Sequence, residues 1–388
     1  MHLNLFLFNF KYFYAFLILI LRNEMTRIYY QNKAFSIRNF LSLELKDADG
    51  FFQNVQQIIN FWETGVLYFM LYTSGSTGKP KKITFTREQL IISAQRTIHY
   101  FELEKKDNLY CCLSPDHAAG LMMIIRALVL GGGLVLSLPS KNPLNSIENS
   151  VKIDFAAFVP YQFAAVINDS DSLNKLSRCK SVILGGGPLP ASLKSKISGI
   201  SFPVFNTYGM TETLTHIALM RMNGSEKDQY FKVMPGIGIH IDCNSCLKIS
   251  PDIYPRKSIF THDIVKLIDA NTFEYIGRVD HVINSGGVKI HPEKITDPTG
   301  EIINHLLGET AFFYYGEEDE ILGQRLVLYL EHAPVTPITG KILKETLIKK
   351  LSKYEVPKMI YYIPGFEYTS IGKIDHRKTV EKMKKNSR

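Results

Sequence analysis

Ten residues, Tyr72-Thr73-Ser74-Gly75-Ser76-Thr77-Gly78-Lys79-Pro80-Lys81, combine the kinds of group that hold a polyphosphate. Gly75 and Gly78 let backbone N–H groups turn toward an anion, which a Cβ would obstruct. Thr73, Ser74, Ser76 and Thr77 add hydroxyl donors, and Lys79, Lys81 and Lys82 add positive charge. The string is not the usual P-loop, which runs from Gly-Lys-Ser/Thr straight into a helix. Here Pro80 follows Lys79 and pushes it out of the helical region. Composition alone leaves open a plain Gly/Ser turn.

Three further strings carry groups of the same chemistry. In Asn206-Thr207-Tyr208-Gly209-Met210-Thr211-Glu212-Thr213 a tyrosine can stack on a purine, and Gly209 allows close backbone approach. Glu212 offers a carboxylate to a hard cation such as Mg²⁺. The plainer alternative is a turn with an exposed acid. Thr261-His262-Asp263 precedes Gly277-Arg278-Val279-Asp280 and Ser285-Gly286-Gly287-Val288. Asp263 can accept from both hydroxyls of a ribose, or it can be a solvated acid at a strand end. Near the C-terminus, Lys373 sits on a Gly turn in Thr369-Ser370-Ile371-Gly372-Lys373-Ile374-Asp375. Arg126 is an isolated cation on the apolar run that follows Ser114-Pro115-Asp116-His117, nine residues after His117. Such a charge needs a partner, and a guanidinium suits a carboxylate bidentately. Otherwise its stem snorkels it to the surface.

Taken in order, these strings resemble the phosphate loop, the adenine and magnesium motif, the ribose-binding acid with its hinge, and the C-terminal lysine of the adenylate-forming superfamily. That superfamily includes acyl-CoA synthetases, peptide-synthetase adenylation domains and luciferases. The similarity covers roughly residues 66 to 377. It implies that ATP is held by Thr73–Lys79, Gly186, Tyr208, Gly209, Thr211, Asp263 and Arg278, with Mg²⁺ on Glu212. It implies that Lys373, Glu212 and Thr77 serve the adenylation step, that Asp280 is the hinge, and that Gly286 and Gly287 shape a tunnel for CoA. Gly185-Gly186-Gly187-Pro188 is similar to the segment lining the adenine and acyl pockets. Two departures stand out: Asn284 where many relatives carry a basic residue, and Glu293-Lys294-Ile295-Thr296 where a pair of acids usually flanks an isoleucine.

Within the superfamily the run Ser114–Arg126 resembles the o-succinylbenzoate–CoA ligases of menaquinone biosynthesis. That resemblance implies a dicarboxylic acid as partner beside ATP and CoA, with His117, Arg126 and Gly187 at the acid and Arg126 on its distal carboxylate. Another acyl-CoA synthetase, an adenylation enzyme loading a carrier protein, and a non-catalytic nucleotide-binding relative are the alternatives. Intact Lys373, Glu212 and Asp263 speak against the last.

The elements that must position these residues are those of an α/β domain. Val66–Leu71 reads as a fully buried strand leading into the loop. Thr86-Arg87-Glu88-Gln89 fits a capping box opening a helix over 88–101, with Ile91, Ala94, Ile98 and Phe101 on its inner face. Val55, Ile58, Ile59 and Trp62 fall at helical spacing. A long apolar helix ends at Gly131-Gly132-Gly133. Leu109–Leu113, Leu134–Leu138, Phe155–Val159, Val182–Leu184 and Pro203–Asn206 are short strands alternating with helices, which predicts a parallel sheet. A small β unit follows around Gly236–Ser250. The expected domains are 25–279, a shortened large α/β domain, and 280–388, a small mobile α+β domain. Relative to most members of the superfamily, the chain looks shortened at its N-terminal side.

Length and composition agree: 388 residues, 45% apolar and 21% charged, suit two or more globular domains. The net charge of +8 suits anionic small molecules. There is no aromatic-rich RNA motif, zinc-finger spacing or basic heptad helix, so no nucleic-acid partner is expected. Five cysteines give no disulfide framework, Cys111-Cys112 reads as core, and a cytoplasmic enzyme is expected. Residues 1–24 are apolar but broken by Asn9 and Lys11. They are shorter than a clean span and lack a clear cleavage site, so Met25 is the favoured start over a membrane anchor.

Overall fold

A computed structural model describes residues 26–45, 50–72, 81–251, 258–368 and 374–386. It divides by packing into two compact units, the second comprising residues 187–196, 239–249 and 260–388. That division follows packing, whereas a boundary at 279/280 concerns rotation about Asp280 and stands as a proposal.

The first unit is built on β1 (Arg27–Tyr30), β2 (Lys33–Ser36), β5 (Asn108–Cys111), β6 (Gly133–Leu136), β7 (Phe155–Phe158), β8 (Ser181–Leu184), β9 (Val204–Gly209), β10 (His216–Arg221) and β11 (Phe231–Val233). Their hydrogen-bonded order is β11-β10-β9-β8-β7-β5-β6-β1-β2. The inner pairs β9–β8, β8–β7, β7–β5, β5–β6 and β6–β1 are parallel. All residues of β6, β7 and β8 are buried, as expected of parallel strands covered on both faces. β3 (Tyr68–Tyr72) and β4 (Lys82–Thr86) form a separate antiparallel pair flanking the glycine-rich loop. The expectation of a fully buried strand fails here. β3 alternates, with Phe69 and Leu71 inside and Tyr68, Met70 and Tyr72 exposed, because the two-stranded sheet is covered on one face only.

The longer helices of this unit are α1 (Phe51–Glu63), α2 (Arg87–Tyr100), α3 (Ala118–Leu130) and α4 (Pro160–Ile167). Helix α1 buries Val55, Ile59 and Trp62. The capping box forms: Gln89 N–H donates to Thr86 Oγ1 at 3.2 Å, and Thr86 N–H to Gln89 Oε1 at 2.8 Å. The inner face of α2 is rotated from the expected one. Leu90, Ser93, Thr97 and the expected Ala94 and Phe101 are buried, while Ile91 and Ile98 are only half-buried. Helix α3 buries every residue from Gly120 to Leu130. It stops at Gly131, whose φ of 71° is the left-handed cap that favours glycine.

The second unit holds β12 (Ile237–Ile241), β13 (Cys246–Pro251), β14 (Ile259–Asp269) and β15 (Thr272–Arg278), neighbours in that order. This is the expected small β unit. Its C-terminal part has β16 (Ile283–Ser285), β17 (Val288–Ile290), β18 (Phe312–Asp319), β19 (Gly323–Glu331) and β20 (Met359–Ile363), with α5 (Pro292–Leu307), α6 (Pro337–Lys350) and α7 (His376–Asn386). One core packs Ile295, Ile302 and Ile303 of α5 with Leu326, Leu328, Leu330, Leu343 and Leu347. The class is mixed α/β, as expected. Cys111, Cys112 and Cys179 are buried and free. Among the described residues no helix is long and apolar enough to cross a membrane.

Candidate active site

The parallel strands set out the first cluster. β8 and β9 run side by side with Leu184 opposite Asn206, so Gly185-Gly186 and Tyr208-Gly209 emerge together at their carboxyl ends, where open α/β sheets bind ligands. Thr207 Oγ1 donates to the Leu184 carbonyl at 2.9 Å and ties the two ends. Gly186 has φ 85°. The strand continues through Gly209, beyond the expected end at Asn206, because β10 pairs with it antiparallel. A Cβ on Gly209 would lie 2.5 Å from the Thr215 carbonyl oxygen. The glycine is therefore required by backbone approach.

Between β9 and β10 the chain makes a 3-10 turn over Thr211–Thr213. Thr213 Oγ1 accepts from Met210 N–H at 3.0 Å and donates to the Thr215 carbonyl at 2.8 Å. This bracket holds Leu214, fully buried, at φ 67°, a conformation that costs a non-glycine residue of order 1–3 kcal/mol. Thr211 and Glu212 are half-buried, and among the described residues no cation pairs with Glu212. A free carboxylate at this place fits a magnesium ligand.

Arg126 enters the same turn. Its Nη2 donates to Thr215 Oγ1 at 2.8 Å, and its Nη1 lies 3.4 Å from Met123 Sδ. The side chain is 1% exposed, and Nε has no partner among the described residues. No described carboxylate lies within ion-pair distance. Burial pushes the guanidinium down to about 9, so it stays cationic at neutral pH. The snorkelling alternative is excluded. His117, the N-cap residue of α3, is exposed.

Four residues missed in the sequence, Thr215, His216, Thr97 and Ser93, complete this cluster. His216 is buried, with Nδ1 3.3 Å from Thr215 Oγ1 and Nε2 3.3 Å from Thr97 Oγ1 of α2. Burial first, then Arg126 and Arg96, hold its imidazole well below the usual range, so it is neutral. The i, i+4 spacing of the hydroxyl residues Ser93 and Thr97 on α2 was the available signal.

The second unit carries a separate group. Asp263 of β14 stands opposite Arg278 of β15. Arg278 Nη1 donates to Asp263 Oδ1 at 3.2 Å, while its Nε and Nη2 reach Asp280 Oδ1 and Oδ2 at 2.8 and 3.1 Å. Asp280 carries this fork, and His281 beside it shares a 2.7 Å hydrogen bond with Glu293 Oε1 at the start of α5. Gly286 and Gly287, φ 60° and 80°, form the two-residue turn joining β16 to β17, the geometry of a type I′ hairpin. Asn284 N–H donates to Gln324 Oε1 at 2.9 Å. Gly187 packs with this unit. Thr73, Ser74, Gly75, Ser76, Thr77, Gly78, Lys79 and Lys373 lie outside the described residues.

In the first unit, Gly186, Tyr208 and Gly209 at the carboxyl ends of parallel strands, with the carboxylate of Glu212 just beyond, stand at the edge where open α/β sheets bind ligands. Residues 38–251, more than half of the chain, match the family model described as AMP-binding enzyme, and the chain belongs to that family. It is similar over 88% of its length to an acyl-CoA synthetase (AMP-forming)/AMP-acid ligase II-like protein from Dyadobacter fermentans, at 36% identity, 97% of that chain covered and a TM-score of 0.57. A 2-succinylbenzoate–CoA ligase from Enterococcus faecalis is 24% identical over 79% of this chain and 67% of its own. The o-succinylbenzoate CoA synthetase of Bacillus subtilis, solved with its acyl-adenylate intermediate, shares the fold at a TM-score of 0.66 and 21% identity, over 79% of this chain and 68% of that one.

Proposed function

We propose that this chain is an ATP-dependent acid–CoA ligase whose acid bears a second, distal carboxylate, with o-succinylbenzoate as substrate and menaquinone biosynthesis as its setting. The observation that carries the diacid is Arg126, a fully buried cation with an unpartnered Nε and no carboxylate beside it among the described residues. Leaving a charge buried and unpaired costs several kcal/mol, and a substrate carboxylate removes that cost. The curated relative acting on 2-succinylbenzoate, an acid with two carboxylates, supports the same reading.

The reaction runs in two halves. The acid's reacting carboxylate attacks the α-phosphate of ATP, forming an acyl-adenylate and releasing pyrophosphate. The thiol of CoA then attacks the acyl carbon, and AMP leaves. No protein nucleophile is needed; the difficulty is bringing a carboxylate to a triphosphate. Mg²⁺ on Glu212 supplies charge neutralisation. The loop Thr73–Lys79, with Thr77, and Lys373 supply oriented donors at the phosphates. Tyr208, Gly186 and Gly209 offer the base a platform, and Asp263 offers the ribose an acceptor. Arg126, with His117 and Gly187, places the acid, so that the step gains from positioning. Asp280 is the hinge for the second half-reaction, which Gly286 and Gly287 open to CoA. Free thiols support a cytoplasmic location.

Arg126→Ala tests the reading. Pyrophosphate release is measured for o-succinylbenzoate and for a mono-acid analogue, with parent and variant. The parent should prefer the diacid, and the variant should lose kcat/KM for it by ~2–5 kcal/mol, the cost of truncating one partner of a buried charged pair. Equal loss for both acids, or a parent that prefers the mono-acid, removes the distal carboxylate from the site.

A further inference from the structure

The contacts around Arg126 form a directed chain. Thr215 Oγ1 accepts from Arg126 Nη2, so its single proton must go elsewhere. Among the described residues the acceptor within reach is His216 Nδ1 at 3.3 Å. A neutral imidazole that accepts at Nδ1 carries its proton on Nε2. That Nε2–H points to Thr97 Oγ1, whose own proton has the Ser93 carbonyl at 3.4 Å. Each link from Arg126 Nη2 through the Thr215 hydroxyl, His216 and the Thr97 hydroxyl to the Ser93 carbonyl then has one donor and one acceptor. The opposite tautomer would give Thr215 Oγ1 two donors, with no described acceptor for its proton. It would also turn Thr97 away from Ser93.

We propose that His216 is a positioning residue for recognition of the acid: held as the Nε2–H tautomer between Thr97 and Thr215, it makes Thr215 an acceptor that fixes the Arg126 guanidinium in one orientation. The proposal rests on the reading of Arg126 given above. The fixed guanidinium keeps Nε and its remaining protons for the distal carboxylate. A guanidinium free to rotate would give up part of that bond to ordering.

Two measurements on the full chain test this. ¹⁵N spectra of histidine-labelled protein, with His216→Gln for assignment, read the tautomer whatever the substrate is. Nε2 protonated and Nδ1 bare is expected; a proton on Nδ1 overturns the relay. Steady-state pyrophosphate release then compares His216→Leu, His216→Gln and Thr97→Val. Leu and Val cut the chain, and each should raise KM for o-succinylbenzoate roughly threefold to tenfold, the worth of one hydrogen bond. KM for ATP should be unmoved. Gln, whose one amide both accepts and donates, should restore KM to within about twofold of the parent. Failure of Gln to rescue, or an equal rise in KM for diacid and mono-acid, marks a merely structural histidine and sinks the proposal. If His216→Leu does not fold, Thr97→Val and the parent spectra decide. An unaffected diacid preference in Arg126→Ala would instead sink the diacid reading, while the tautomer result stood. Loss of preference in Arg126→Ala with none in the relay variants would sink the relay alone.

Discussion

Arg278 faces Asp263 across the β14–β15 ladder and gives it one N–H, while its other edge grips Asp280. The acid proposed for ribose and the residue proposed as hinge therefore share one guanidinium. Arg278 is raised, first by its hydrogen bond to Asp280, and Asp280 is lowered by that bond and the Arg278 charge against an opposing burial effect. Both are charged throughout the physiological range.

Asp263→Ala should weaken ATP and AMP alike. It removes both carboxylate acceptors, at roughly 1.5–3 kcal/mol for hydrogen bonds to a charged group. Calorimetry with each nucleotide measures it. Unchanged affinity places Asp263 outside the nucleotide site.

Lys373→Ala should slow acyl-adenylate formation by ~10²-fold, the scale of losing one transition-state donor. Given ready-made acyl-adenylate and CoA, the variant should still form thioester. Equal slowing of both half-reactions would show that the lysine serves both.

The contact of His281 with Glu293 should depend on pH. The hydrogen bond to Glu293 raises the His281 imidazole above its usual range. The attraction of the charged form is thus complete below the unfolded value, about 6.5, and is lost as pH rises through the higher folded value. Hydrogen exchange over residues 277–282, corrected for intrinsic rates, should quicken between pH 6 and 8.5 in the parent. The same correction should leave His281→Gln flat; a flat parent contradicts the sign.

Gly209→Ala should lower stability by ~1–3 kcal/mol, the cost of overpacking, because its Cβ would press on the Thr215 carbonyl and on His216 Cα, 2.6 Å away. Thermal unfolding measures this. The variant should also lose diacid selectivity, since the displaced segment carries Thr215. Parent-like melting and selectivity would show that the turn yields freely.

What the sequence determined by itself is local. Residue types in short strings pointed to phosphate, ribose and magnesium chemistry. The alternation of short apolar runs with helical spacing predicted the parallel sheet. The Thr86–Gln89 box and the Gly131 stop appear where local capping chemistry puts them. Isolated cation Arg126 was visible as an anomaly, because a charge breaks an apolar helix pattern whatever the fold. Only the tertiary structure decided what that cation meets. Thr215 lies 89 residues away, and His216 lies 119 from Thr97. Periodicity shows which face turns inward, not which polar group waits there. That is why the inner face of α2 was set one step off: Ser93 and Thr97 are buried against the rule that hydroxyls face water, and burial of His216 and Arg126 makes it so. The exposed face of β3 has the same origin, since an apolar run cannot say whether its second face is covered.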